Sequence, residues 1–287
     1  MTRCSFRLGC AVWAHRPWVG TFYPPGSRPS DFLRLYSHRF STVEGNTTFY
    51  QVPDRATVQR WATETPPGFE FCLKLPRDLT HRGLLQPSIP GVWRFLDQTQ
   101  ALVDRRGPLF AQLPPDYSPA LLDDLIGFLT AFPRQQVPLA LEVRHADWFR
   151  EPHRQRLSEV LTNLGVGRVL LDSRPVYNNS DDPQCASERK KPKVPLQPEA
   201  TASFVLVRYI SHPDQAVNQP YIEGWVDQLA DWLQRGIRVY WFVHCPLEER
   251  SPTNALALQA VLEDRGLPVP KLPITKLAPE PTQLSLF

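Results

Sequence analysis

Short apolar runs of strand length recur along the chain and alternate with stretches of helical period. They span residues 6–13 (FRLGCAVW), 42–50 (TVEGNTTFY), 70–76 (EFCLKLP), 109–115 (LFAQLPP), 139–144 (LALEVR), 167–173 (GRVLLDS), 204–210 (FVLVRYI) and 238–244 (RVYWFVH). Runs this short, bounded by turn-forming residues, predict strands. Amphipathic stretches between them open on capping residues, at Ser30, Asp54, Ser118-Pro119 and Ser251-Pro252, and two close on Gly236 and Gly266. Strand–helix alternation implies a parallel sheet covered by helices. Eight strands over about 265 residues suit an α/β fold with a closed parallel (β/α)8 TIM-like barrel. The rival, a doubly wound open sheet, lacks its Gly-rich phosphate turn here.

Two segments break the alternation. Residues 174–201 are polar, proline-rich and aperiodic, which predicts a long irregular loop between the sixth and seventh strands. Its Arg189, Lys190, Lys191 and Lys193 read either as a solvated loop or as a basic flap beside the barrel mouth. From Pro268 onward the chain reads as an extended linker, so a single domain over 1–267 is expected to carry a flexible tail over 268–287.

Composition narrows the class. The 287 residues are 42% hydrophobic and 21% charged, with net charge +3, which is compatible with polyanions but unlike a dedicated nucleic-acid coat. Cysteines at 4, 10, 72, 185 and 245 form no CxxC pair and read as reduced thiols. No secretion signal is evident, and no run approaches the ~20 apolar residues of a membrane span. A cytoplasmic, monomeric protein is expected.

Side chains two apart on a strand share a face. Glu142 and Arg144 therefore pair, as do Glu44 and Asn46, while Lys74, Gln112 and Arg208 each sit among apolar neighbours late in a strand. Chemistry in barrels gathers at that end. The bland reading is a self-satisfying ion network. Three cations against two carboxylates leave a positive surplus, however, and so predict a pocket for a carboxylate or phosphate. In that pocket Glu142 or Glu44 is the expected general base, and Lys74, Arg144 and Arg208 stabilise negative charge. Alternatively Lys74 forms a Schiff base with a sugar aldehyde. His81, His145 and His244 lie near strand ends without HxH or HExxH spacing, so a divalent metal has only isolated histidines to hold it, and no cofactor is predicted. Trp13, Tyr50 and Trp148 are candidate stacking faces for a base or sugar, or else simply core.

The segments GCAVWAHRPWVGTFYP, TVEGNTTFYQVP, FCLKLPRDLTH, FAQLPPDY, LEVRHADWF and SPTNAL, in order over residues 6–266, resemble the YecE family, domain of unknown function 72. The resemblance implies a TIM-like barrel without an assigned biochemical role. It points to Glu44, Asn46, Tyr50, Lys74, His81, Gln112, Glu142, Arg144 and Arg208 as matched motif positions. Two segments depart from the family pattern. VRYISHP keeps Arg208 but lacks the family's His-Gly pair, and YWFVHCP replaces YFNN, leaving His212 or His244 as the substitutes.

The chain ends in QLSLF, residues Gln283, Leu284, Ser285, Leu286 and Phe287. This resembles the peptide by which bacterial replication and repair proteins dock on the DNA polymerase sliding clamp, the alternative being a tail packed on its own body. The leading expectation is a hydrolase or lyase acting on a phosphate-bearing substrate, nucleic acid in DNA repair, brought to DNA by the clamp. The alternatives are a non-catalytic nucleic-acid accessory factor and a sugar-phosphate enzyme.

Overall fold

The computed structural model describes residues 6–178, 182–185 and 190–272. Its strands are β1 (Phe6–Cys10), β2 (Thr42–Gly45), β3 (Glu70–Leu73), β4 (Leu109–Gln112), β5 (Leu139–Glu142), β6 (Gly167–Asp172), β7 (Phe204–Ile210) and β8 (Arg238–His244). Only β7 and β8 fill the predicted spans. The others stop earlier, β2 most of all, because residues 47–50 turn into a short helix whose Thr48 hydroxyl donates to the carbonyls of Gly45 and Lys74 at 2.9 and 2.6 Å.

Every strand pairing is parallel, but the expected closed barrel does not form as one continuous ladder. A six-stranded sheet runs β1-β8-β7-β6-β5-β4, and among the described residues β2 pairs only with β3. Side chains occupy the seam between β1 and β2. The Tyr36 hydroxyl accepts from the Cys10 amide at 2.6 Å and donates to the Thr42 carbonyl at 3.1 Å, and the Leu8 amide donates to the Ser41 hydroxyl at 3.1 Å. Strand β1 still lies close: a Cβ on Gly9 would meet the Thr42 oxygen at 2.0 Å. Between β3 and β4 only isolated bridges remain, Phe71 with Arg106 and Lys74 with Phe110. The architecture is thus α/β with a mostly parallel sheet broken at two seams.

Alternation along the strands divides the apolar residues into two cores. Val205, Val207, Val239, Trp241 and Val243 face outward into the large core under the helices. Cys72, Phe110, Ala140, Leu206, Tyr240 and Phe242 form a separate inner cluster. Asp54 and Ser118 cap as predicted, Ser118 accepting from the Ala120 amide at 3.4 Å. Ser30, by contrast, lies within a short 3-10 turn ahead of the helix Phe32–Ser37, and Ser251 is the first residue of its helix. Asp54 accepts from the Thr57 amide at 2.7 Å ahead of Arg55–Glu64, and Pro252 sits in the first turn of Ser251–Asp264. The helix Gln215–Gln234 begins earlier than its apolar pattern, on Asp214, and ends before Gly236 at φ 74°. Helices Ile89–Gln98 and His153–Leu164 were not anticipated.

After β6 the long connection holds one short helix, Arg174–Tyr177, and is otherwise irregular where described. At the other end, residues 268–272 do not leave the body as a linker: Val269 and Leu272 pack on the large core, and Gln259 donates to the Pro270 carbonyl at 3.0 Å. Among the described residues no helix is long and apolar enough to cross a membrane.

Candidate functional site

Glu44, Glu142 and Arg208 face inward from β2, β5 and β7, and three segments far apart in sequence meet in one ion network. Arg208 donates through Nε and Nη2 to the two oxygens of Glu44 at 2.9 and 3.0 Å, and through Nη1 to Glu142 at 2.7 Å. Arg144 donates to the other Glu142 oxygen at 2.7 Å. Asn46 and His244 complete Glu44, at 2.6 and 3.1 Å. Burying these charges is tolerable because each meets a partner in fixed geometry. Burial alone would raise the Glu142 carboxyl, but Arg208, Arg144 and Lys74 outweigh it and hold the group down at about 2. Burial likewise opposes ionisation of Glu44, yet Arg208 and His244 hold it well below the usual range. The general-base role expected of Glu44 or Glu142 does not suit this geometry, since both are fully hydrogen-bonded and hold protons weakly.

Lys74 is placed differently. The residue is 6% exposed, and its amino group donates to Gln112 Oε1 at 2.7 Å and lies 3.8 Å from the Phe49 ring centre. Arg144 Nη2 donates to the same Gln112 oxygen at 2.7 Å. Burial, and then the charge of Arg208, lower Lys74 to about 7, against the pull of Glu142 and Glu44. The expected positive surplus is thereby relieved from within. With Lys74 partly neutral, two carboxylates balance Arg144 and Arg208.

Above this network opens a cavity of about 640 Å³ whose wall includes Lys74, Gln112, Arg144, Arg208, Asn46 and His244. His81 and Tyr50 also line it, and Tyr50 is 69% exposed. Burial lowers His81 to about 4, helped by Lys74 and Arg77. Burial also lowers His244 to about 4, although Glu44 pulls the other way. Both imidazoles are therefore neutral near pH 7. The wall further holds Arg77, Lys190, Lys191 and Glu248. Lys190 and Lys191 come from the long connection, so the basic flap reading describes their position, whereas Arg77 and Glu248 were missed. Both lie just beyond strand ends, in LPRDL and CPLEER, which is the signal that could have found them.

Four candidates stay outside the cavity. Trp148 is 0% exposed and donates its indole N–H to the Tyr117 carbonyl at 2.8 Å, so it is core. Trp13 packs edge-on against Trp61, 5.1 Å between ring centres, and borders a separate cavity of about 310 Å³. His145 Nδ1 accepts the Asp147 amide at 3.2 Å and caps the turn Ala146–Phe149. His212, buried, caps a turn in the same way through the Asp214 amide at 3.0 Å. Gln283 to Phe287 lie outside the described residues. Among the described residues no three of His, Cys, Asp and Glu cluster as a metal site. Burial raises the Cys10 and Cys72 thiols well above their ordinary value and Cys245 to about 11, which makes none of them a ready nucleophile.

Comparison with known proteins bears on the family and the fold. A family model described as "Protein of unknown function DUF72" matches residues 7–279. The chain is 32% identical over 283 residues to UPF0759 protein YecE of Escherichia coli strain K12, covering 98% of this chain and 99% of that one. It is 26% identical to UPF0759 protein YunF of Bacillus subtilis strain 168, over 79% of this chain and 84% of the other. Crystal structures of DUF72 family proteins share the fold. The Enterococcus faecalis V583 protein superposes with TM-score 0.70 at 18% identity, over 92% and 99% of the two chains. The Thermotoga maritima MSB8 protein gives 0.68 at 22%, over 90% and 99%. With a family match along nearly its whole length and a relative of this similarity, the chain belongs to the DUF72 family.

Proposed function

We propose that this protein is a lyase that forms an imine between Lys74 and the aldehyde of a phosphate-bearing sugar, the group an abasic site presents in DNA. The observation that carries the reading is the Lys74 amine, brought to about 7 by burial beside Arg208 on the wall of a cation-lined cavity. An amine that is half neutral at physiological pH attacks a carbonyl without prior loss of a proton. Water leaves, and the resulting iminium acidifies the adjacent C–H. Loss of that proton expels the phosphate on the next carbon, and hydrolysis of the imine returns the lysine. Arg77 and Lys191, outside the balanced network, supply positive charge for the phosphate, and the exposed Tyr50 ring offers a stacking surface. A hydrolase driven by Glu44 or Glu142 is less compatible with the site, because both carboxylates are spent on Arg208. The terminal QLSLF would deliver the enzyme to DNA through the sliding clamp.

Sodium borohydride trapping tests the proposal, with an abasic-site duplex and with free 2-deoxyribose 5-phosphate. The expected result is a covalent adduct on Lys74 that disappears in Lys74→Ala and forms faster as pH rises through about 7. Adduct only with the duplex assigns the substrate to DNA, and only with the free sugar assigns it to sugar phosphates. No adduct with either, or one that persists in Lys74→Ala, overturns the reading. Salt-dependent DNA binding with no adduct would instead describe a non-catalytic accessory factor.

A further inference from the structure

Glu248 stands apart from the other charged groups on the cavity wall. It opens the short turn Glu248–Arg250 just beyond β8, and its carbonyl accepts the indole N–H of buried Trp18 at 3.0 Å, which fixes the turn. The other charged side chains lining the cavity, among the described residues, are cations: Lys74, Arg77, Arg144, Lys190, Lys191 and Arg208. Its Oε1 is buried without a hydrogen-bond partner, whereas Glu44 and Glu142 below it have theirs. The Ser251 hydroxyl lies close enough to favour the ionised carboxylate but not in hydrogen-bonding geometry, and it too is unpartnered. Buried acceptors left unmatched are rare in folded proteins, and at a cavity wall they mark where a ligand donor fits. Burial holds the Glu248 carboxyl up at about 7, and Lys191 offsets this only in part.

We propose that Glu248 is a specificity-determining residue that accepts a hydroxyl of the bound ligand, so that the cavity selects a hydroxyl-bearing phosphate monoester over a bare one. The inference rests on the anion site of the proposed function but not on imine formation. A sugar phosphate has both parts, an anion for the cations and a neutral donor for the lone carboxylate. Binding a ligand without that donor leaves Oε1 unmatched, which is the physical basis of the selection.

Titration calorimetry at pH 8 on the full-length protein tests it with glycerol 3-phosphate and methyl phosphate, neither of which carries an aldehyde. Wild type is expected to bind glycerol 3-phosphate about tenfold more tightly than methyl phosphate, the worth of one charge-assisted hydrogen bond. Glu248→Ala should bring the two within about twofold while methyl phosphate binds as well or better, and the isosteric Glu248→Gln should keep an intermediate preference. A preference that survives Glu248→Ala, or a variant that weakens both ligands alike, overturns the assignment while leaving the anion site standing. If wild type binds neither phosphate, the anion site falls and this inference with it.

Discussion

At the amino end of the strands, Glu70 of β3 pairs with Arg7 of β1 at 2.7 Å and with Arg238 of β8 at 3.6 Å, and accepts the Tyr240 hydroxyl at 2.6 Å. At the carboxyl end Arg208 joins Glu44 and Glu142 in much the same manner. Both networks come from inward-facing strand residues, and the inner apolar cluster around Cys72, Phe110 and Phe242 separates them. They differ in what lies beyond. Arg7 turns Nη1 to the Gly68 and Ser41 carbonyls, at 2.6 and 3.1 Å, and leaves only its buried Nε without a hydrogen-bond partner. The upper network instead borders a cavity of about 640 Å³, with Lys74 and Glu248 both near neutral-pH titration on its wall. Charge inside a sheet is therefore no mark of function by itself. Charge that faces open volume with its pairing incomplete is the stronger sign.

The largest test of this contrast is Arg208→Met, which strands two buried carboxylates. It should cost about 3–5 kcal/mol in urea unfolding, and a loss below about 1 kcal/mol would mean that the network is not the floor of the site. Lys74→Met probes the unfinished pairing. Because the folded amine titrates near 7 rather than 10.5, the unfolded chain binds the extra proton between those values, and the stability of wild type rises with pH across that window. Between pH 7 and 9 wild type should gain about 2 kcal/mol relative to Lys74→Met, and parallel pH curves for the two would show an ordinary lysine. The smallest effect belongs to the amino end. Tyr240→Phe removes one hydrogen bond to Glu70, costs about 1 kcal/mol and should leave methyl phosphate affinity unchanged. An altered affinity would show that the two ends communicate.

Much of this contrast was legible in the chain. Period-two alternation correctly joined Glu44 to Asn46 and Glu142 to Arg144, pairs that hydrogen-bond at 2.6 and 2.7 Å. It also turned Lys74, Gln112 and Arg208 inward. It left open whether Trp13 and Trp148 are stacking faces or core, because an aromatic after a strand packs into the core or borders a pocket depending on helices elsewhere. It could not foresee that Tyr36, from a neighbouring helix, would replace the β1–β2 ladder with hydrogen bonds from its hydroxyl. Nor could it reveal that residues 268–272 find apolar surface to rest on.

What the sequence determined alone was the order of the eight strands, several of the helices between them, and which side chains share an inner face. Those depend on local period and capping, which neighbouring residues settle among themselves. Tertiary structure decided the chemistry. Glu44 and Arg208 are 164 residues apart, and only folding brings them to 2.9 Å. That contact spends one pair of charges and leaves an amine and a carboxyl short of partners, since pairing and desolvation depend on distances that no local pattern records.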